Sequence, residues 1–518
     1  MLPRMSLEEQ IGQVIVGVAS AGLDDLAGPV ALGHVGGVLV PPGTASGTLE
    51  LAAALNRLQG LASYPLLCIA DLSGPAPLVP GATWLPGELA LGAARQPELS
   101  RRCGARLAEE ARAMGVQVLL GPVLDVWHSP VAADGHGRSF GESSTLVATL
   151  GAAFVEGCQS HRVLATGCYF PGRGHLLYDA ELNLAVLAQD RQALDKIDLV
   201  PYVEACRAGL GAIMTGHLHV AALDTLPTRL ATHSSSVVEG LLRRTLGYQG
   251  LLLSANLDVP EVRSRYGPAE AAILAFAAGH DVLLTEEPVA VYRALYEVLV
   301  HGDVPTERLQ EAVGRVWAAK EWLGLTRDRF VPTRPHDPEP GRRLVQEVAR
   351  ASLAAVRGQA ALISGRRLLV LAIHANGDGT LPDVANLESL ASKHVGGACV
   401  QTLDLQQGAG QVDELLAETS PAEAAIVFVG DKAPAPGRRD GSANGSLGVA
   451  IRALKRAGLP VGVVLTGNPY ALASFPEADL LLYAPSDAPP WLEATFAYLS
   501  GQADAPGRVP VSVPGLRV

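Results

Sequence analysis

Aromatic residues are scarce in this chain, at 5% of 518 residues, and charged residues reach only 18%. Long apolar runs are missing as well, for no stretch approaches the roughly 20 residues of a membrane-spanning helix. Basic clusters are absent too. The nearest are the pairs Arg342-Arg343 and Arg438-Arg439, in a chain of formal net charge −12. A nucleic-acid backbone is held by clustered Lys and Arg, so neither nucleic acid nor a membrane is expected as a partner. The six cysteines (Cys68, Cys103, Cys158, Cys168, Cys206, Cys399) stand singly, without Cys-x-x-Cys spacing, several of them inside apolar runs such as Leu67-Cys68-Ile69. Thiols in that pattern read as buried and reduced, which suits a reducing cytoplasm. A secretory segment is not expected at the start, because Ser6-Leu7-Glu8-Glu9 reads as a helix cap.

What is present is a chain with 48% hydrophobic residues, too long for one core. Short apolar, β-rich runs recur at 12–19, 35–40, 65–71, 116–126, 163–170, 212–220, 250–257 and 280–285. Between them lie helix-forming stretches with apolar spacing near 3.6. Eight strands alternating with helices predict an α/β fold, a (β/α)8 TIM-type barrel over residues 1–329. Four prolines between Phe330 and Gly341 break the pattern, and a connecting helix is expected over 344–356, so 330–366 reads as linker and helix. Alternation resumes at 367–373, 398–405, 424–429, 461–466 and 478–484, which predicts a smaller α/β sandwich over 367–518 with a long surface loop at 434–445.

In such barrels the chemistry sits where strands end. Strand three ends in Asp71, and strand four in Pro122-Val123-Leu124-Asp125-Val126, followed by Arg138-Ser139-Phe140-Gly141-Glu142. Strand five ends in Cys168-Tyr169-Phe170-Pro171-Gly172-Arg173-Gly174 and then Asp179-Ala180-Glu181. Strand six gives Met214-Thr215-Gly216-His217, and strand seven Ser254-Ala255-Asn256-Leu257-Asp258. In this order, and with Leu465-Thr466-Gly467-Asn468-Pro469-Tyr470 in the second domain, the motifs resemble family 3 glycoside hydrolases over nearly the whole chain. The resemblance is strongest to the bacterial β-N-acetylglucosaminidase (β-hexosaminidase) branch.

That resemblance implies a retaining mechanism with an aspartate nucleophile in a Ser/Thr-Asp-x-Leu-x-Met motif, and here the nucleophile position is Ala255. A methyl group can neither attack an anomeric carbon nor stabilise an oxocarbenium ion. Asp258, three residues on, is about 10 Å away along an extended chain. The branch's Asp-x-His acid/base element is Asp179-Ala180-Glu181 here. Its sugar-gripping Lys-His is Cys168-Tyr169, and its Glu-Gly-Gly-Arg is Ser73-Gly74-Pro75-Ala76. The resemblance carries sugar contacts over to Asp71, Arg138, Cys168, Tyr169, Met214 and His217.

Two readings stay open. In the first, the fold is kept for sugar binding or regulation, with hydrolysis absent or strongly impaired. In the second, an N-acetylhexosaminide supplies its own acetamido nucleophile, and Asp179 and Glu181 act as the carboxylate pair. The expected partner in both is a small carbohydrate, an N-acetylglucosamine-type sugar or peptidoglycan fragment. His217 and His219, two apart on strand six, would share a face, but no third ligand has metal spacing. No metal and no cofactor are expected.

Overall fold

The computed structural model describes residues 3–71, 77–85, 87–128, 138–179, 184–226, 228–335, 337–374, 384–395, 398–403, 414–415, 422–431 and 442–516. In chain order the first strands are β1 (Ile15–Val18), β2 (Gly37–Val40), β3 (Leu67–Ala70), β4 (Val118–Val123) and β5 (Leu164–Phe170). They continue as β6 (Leu177–Asp179), β7 (Leu184–Leu187), β8 (Ala212–Thr215), β9 (His219–Val220), β10 (Leu251–Leu253) and β11 (Leu283–Thr285). Eight of them form one parallel sheet ordered β10-β8-β5-β4-β3-β2-β1-β11, and a parallel bridge from Leu253 to Val282 joins its two ends. The expected barrel is therefore present, with β8 and β10 as its sixth and seventh strands.

Residues two apart on each strand point inward and fill the barrel: Val16 and Val18, Leu67 and Ile69, Val118 and Leu120, Leu251 and Leu253. At the floor, where the strands begin, the helix Thr306–Leu323 adds Val316 and Leu323 to the same cluster. Two charged groups are buried there. Asp281 is fully buried and binds Arg243 at 2.6 Å, Arg315 at 2.9 Å and Arg308 at 3.5 Å. Lys320 is also fully buried but has only neutral acceptors, Gln13 Oε1 at 2.6 Å and the Gly36 carbonyl at 3.1 Å.

Two departures from the sequence reading concern strand six. The expected run 212–220 is split, because β8 stops at Thr215 and β9 belongs to a separate sheet ordered β6-β7-β9. His217 lies in the turn between them and His219 in β9, so the two histidines do not share a strand face. The small sheet itself was not foreseen, being built from strands of two to four residues that leave Leu177 61% exposed.

The second sheet has six strands: β12 (Ala354–Arg357), β13 (Leu368–His374), β14 (Ala398–Leu403), β15 (Ala424–Asp431), β16 (Val461–Gly467) and β17 (Leu480–Ala484). Their order is β12-β17-β16-β15-β13-β14, parallel except for β12, which pairs antiparallel with β17. The connecting helix runs Glu339–Ser352, so 354–356, expected to be helical, is instead the edge strand. Residues 442–445 of the expected loop already belong to the helix Ser442–Arg456, and 434–441 lie outside the described residues.

The chain divides into two compact units. One comprises Met1–Leu85, Pro97–Val126 and Val147–Gly341, the other Pro86–Gln96, Trp127–Leu146 and Arg342–Val518. The second unit thus recruits two stretches from within the barrel sequence. Leu89 and Trp127 from those stretches join the apolar core formed by β13, β15 and β16. No helix among the described residues is long and apolar enough to cross a membrane.

Candidate functional site

The strand-seven turn is tied down residue by residue. Ser254 follows β10; its amide donates to the Val282 carbonyl at 2.9 Å, and its hydroxyl accepts from the Leu284 amide at 3.0 Å. Those bonds turn Ala255 inward, where it is 9% exposed in the barrel-filling cluster with Leu253, Leu284, Met214 and Cys168. Asn256 next uses its carbonyl, carboxamide nitrogen and carboxamide oxygen on His217, Glu286 and the Asp258 amide respectively. Asp258 is engaged by Arg263 at 2.9 Å, the Thr285 hydroxyl at 2.8 Å and the Glu286 amide at 2.5 Å, with its carboxylate fully buried. The carboxylate nearest in sequence to Ala255 is thus held by three protein donors.

At the end of β5 the glycines of Phe170-Pro171-Gly172-Arg173-Gly174 are explained by geometry. Gly172 has φ +128°, and a Cβ at Gly174 would lie 1.6 Å from the Val126 carbonyl oxygen. The turn delivers Arg173 back over the mouth. Its guanidinium stacks on the Tyr169 ring at 3.4 Å, its amide donates to Asp125 Oδ1 at 2.8 Å, and Nε donates to Asp125 Oδ2 at 3.3 Å. A cation therefore stands beside Cys168 and Tyr169. Cys168 itself is fully buried, and its thiol donates to the Thr166 carbonyl at 3.3 Å.

One residue further on, His175 Nδ1 meets the fully buried Asp198 at 3.3 Å. The pair sets an imidazole, four residues upstream of Asp179, against a carboxylate. Asp179 is the last residue of β6, paired with Leu184 across the hairpin, and Glu181 lies outside the described residues.

Strand six supplies a run of buried polar groups. Met214 is 3% exposed and points into the barrel interior. His217 Nε2 is 2.9 Å from the Asn256 carbonyl and Nδ1 3.1 Å from the Thr232 hydroxyl, so both ring nitrogens already have protein partners. Burial pushes His217 down to about 4, leaving it neutral at neutral pH. Asp71, half-buried, directly follows β3, and 72–76 lie outside the described residues. Arg138 belongs to the second compact unit. In that unit the same motif ends in Glu142, which accepts from the Ser512 amide at 2.7 Å and from its hydroxyl. Tyr470 packs edge-on against Trp127 there, with ring centroids 5.4 Å apart. Among the described residues no group of three or more His, Cys, Asp or Glu could hold a metal ion.

Sequence reasoning missed Arg173 over Tyr169, His175 with Asp198, and Thr232 behind His217. Only the first lies within a recognisable motif, at its variable position.

Comparison with known proteins agrees with this architecture. Residues 6–319 match the glycosyl hydrolase family 3 N-terminal domain. A β-N-acetylglucosaminidase/β-glucosidase of Cellulomonas fimi is 30% identical over 381 residues, covering 69% of this chain and 65% of that protein. A β-hexosaminidase of Nitrosomonas eutropha is 29% identical over 358 residues, covering 66% of this chain and 98% of that protein. The solved family 3 β-N-acetylglucosaminidase of Paenibacillus sp. str. FPU-7 superposes with a TM-score of 0.85 at 26% identity, covering 98% of this chain and 99% of that one. With a family match spanning more than half its length and the barrel to go with it, this chain belongs to glycosyl hydrolase family 3.

Proposed function

We propose that this protein binds an N-acetylhexosamine-type sugar at the mouth of its barrel and that its hydrolysis of such sugars is absent or strongly impaired. The relatives named as β-N-acetylglucosaminidase and β-hexosaminidase supply the sugar class. The observation that carries the reading is Ala255: an apolar side chain packed into the barrel-filling cluster, with Asp258 already bound by Arg263, Thr285 and Glu286. Retaining hydrolysis needs a second carboxylate about 5 Å from the acid/base, and a methyl group supplies neither charge nor lone pair. Asp71 and the Arg173–Tyr169–Asp125 cluster are the polar groups offered to sugar hydroxyls in this reading.

The test pairs two measurements on the full chain. Calorimetric titration with N-acetylglucosamine is expected to show binding. Turnover of an aryl β-N-acetylglucosaminide is expected to stay at background across the pH range in which carboxylates and histidine titrate. Turnover at the usual enzyme scale, about 1 to 1,000 per second, would overturn the reading.

A further inference from the structure

The turns that end barrel strands six and seven are joined by an unbroken series of hydrogen bonds, and counting protons along it is decisive. The Asn256 carbonyl can only accept, so His217 Nε2, 2.9 Å away, carries a proton. With burial pushing the ring down to about 4, neutral His217 has no second N–H, and its Nδ1 is a bare acceptor. The group facing Nδ1 is the Thr232 hydroxyl at 3.1 Å.

The far end is settled by the same logic. His280 is fully buried and pushed down to about 3, and its Nδ1 donates to the Ala275 carbonyl at 2.9 Å. Its Nε2 must then accept from Thr215, also at 2.9 Å. The Thr215 proton is committed. The Thr232 proton is the one left to assign, and three acceptors surround it: His217 Nδ1 at 3.1 Å, Thr215 Oγ1 at 3.1 Å and the Gly216 carbonyl at 3.2 Å.

We propose that Thr232 is a positioning residue of the barrel mouth: its hydroxyl donates to His217 Nδ1, fixes the ring as the Nε2–H tautomer, and so clamps the strand-seven turn at Asn256, beside Ala255. The opposite tautomer would set a bare Nε2 against the Asn256 carbonyl, two acceptors across 2.9 Å. That arrangement would release the turn and leave Nε2 free to accept from a ligand hydroxyl. The tautomer of His217 therefore distinguishes a clamped mouth from an open one. Asn256 passes the constraint on, because its side chain also holds Glu286 and the Asp258 amide. The clamp rests on the sugar-binding reading for its ligand readout alone, since the tautomer can be observed without sugar.

The experiment uses the full chain with heavy-nitrogen-labelled histidine. Nuclear magnetic resonance is expected to find His217 protonated at Nε2 in the natural protein and in Thr232→Ser, with that state lost or mixed in Thr232→Val. Affinity for N-acetylglucosamine is expected to fall about tenfold in Thr232→Val and to recover in Thr232→Ser. If the valine variant does not fold, Thr232→Ala removes the hydroxyl without adding volume and gives the same readout. A cycle with His217→Gln isolates the coupling. The glutamine amide still donates to the Asn256 carbonyl and has no tautomer for Thr232 to set, so adding Thr232→Val should change affinity less than about twofold. An unchanged tautomer in Thr232→Val, a serine variant that behaves like valine, or full additivity in the cycle would each overturn the clamp. Failure of the natural protein to bind any N-acetylhexosamine would refute the sugar-binding reading, while the tautomer comparison would still decide the clamp.

Discussion

Two clusters at opposite ends of the barrel manage buried polarity in opposite ways. At the floor, a single carboxylate, Asp281, is surrounded by Arg243, Arg308 and Arg315, and charge is neutralised by charge. At the mouth, between strands six and seven, neutral hydroxyls, imidazoles and carbonyls are linked in series beside the methyl group of Ala255. Groups at the strand-start face of such a barrel serve stability, and groups at the strand-end face serve chemistry. In this chain the floor cluster is held by ions, while the series between strands six and seven is held by neutral groups around Ala255.

That contrast can be broken most forcefully at the floor. Asp281→Asn keeps the shape but leaves buried Arg243 and partly buried Arg308 and Arg315 without this counter-charge. It is expected to lower unfolding stability by about 3 to 5 kcal/mol in denaturant titrations. A loss under about 1 kcal/mol would mean that the floor cluster is solvated and the contrast false. A smaller effect is expected from adding charge at the mouth. Ala255→Asp places a carboxylate among Leu253 and Leu284 and should cost about 1 to 3 kcal/mol. Hydrolysis is not expected to return with it, because Cys168 and Tyr169 supply neither the lysine nor the histidine that the resemblance implies there. Clear turnover by this single variant would mean that the mouth lacked one residue only.

The effect that is smallest at any one step of pH sharpens the comparison within the floor itself. Among the described residues Lys320 has no carboxylate partner, and burial pushes it down to about 7. Its folded value lies below its unfolded one, about 10.4, so between the two the unfolded chain binds more protons and stability rises with pH. The destabilisation is fully present below about pH 7 and fades as the pH approaches about 10. Stability measured across that window should climb by about 1 kcal/mol per pH unit, and Lys320→Met should flatten the slope. A slope unchanged by the substitution would assign it to other groups.

Much of this was legible in the residues, for specific reasons. The eight barrel strands announced themselves because each is apolar on both faces and followed by a helical period. The edge strand β12 did not, since Ala354, Ala355 and Val356 continue the apolar spacing of the preceding helix, and only pairing with β17 makes them a strand. At the mouth, Ala255 could be located by motif alone. His175 and Asp198 lie 23 residues apart, His217 and Thr232 15, and Asn256 and His217 39, with no pattern joining the members of each pair. Barrel closure brings those partners together, and closure leaves no mark in a local run of residues.

The allocation of Pro86–Gln96 and Trp127–Leu146 to the second compact unit has a consequence for synthesis. Glu142 leaves the ribosome 370 residues before Ser512, the residue that fastens it. At 5 to 20 residues per second the interval is roughly 20 to 70 seconds. Through that time Leu89 and Trp127 exist without the core into which they later pack. The nascent barrel therefore carries two sticky inserts whose partners have not yet been translated. A holding chaperone, or a slow stretch of message placed elsewhere than within this interval, would raise the yield of folded chain.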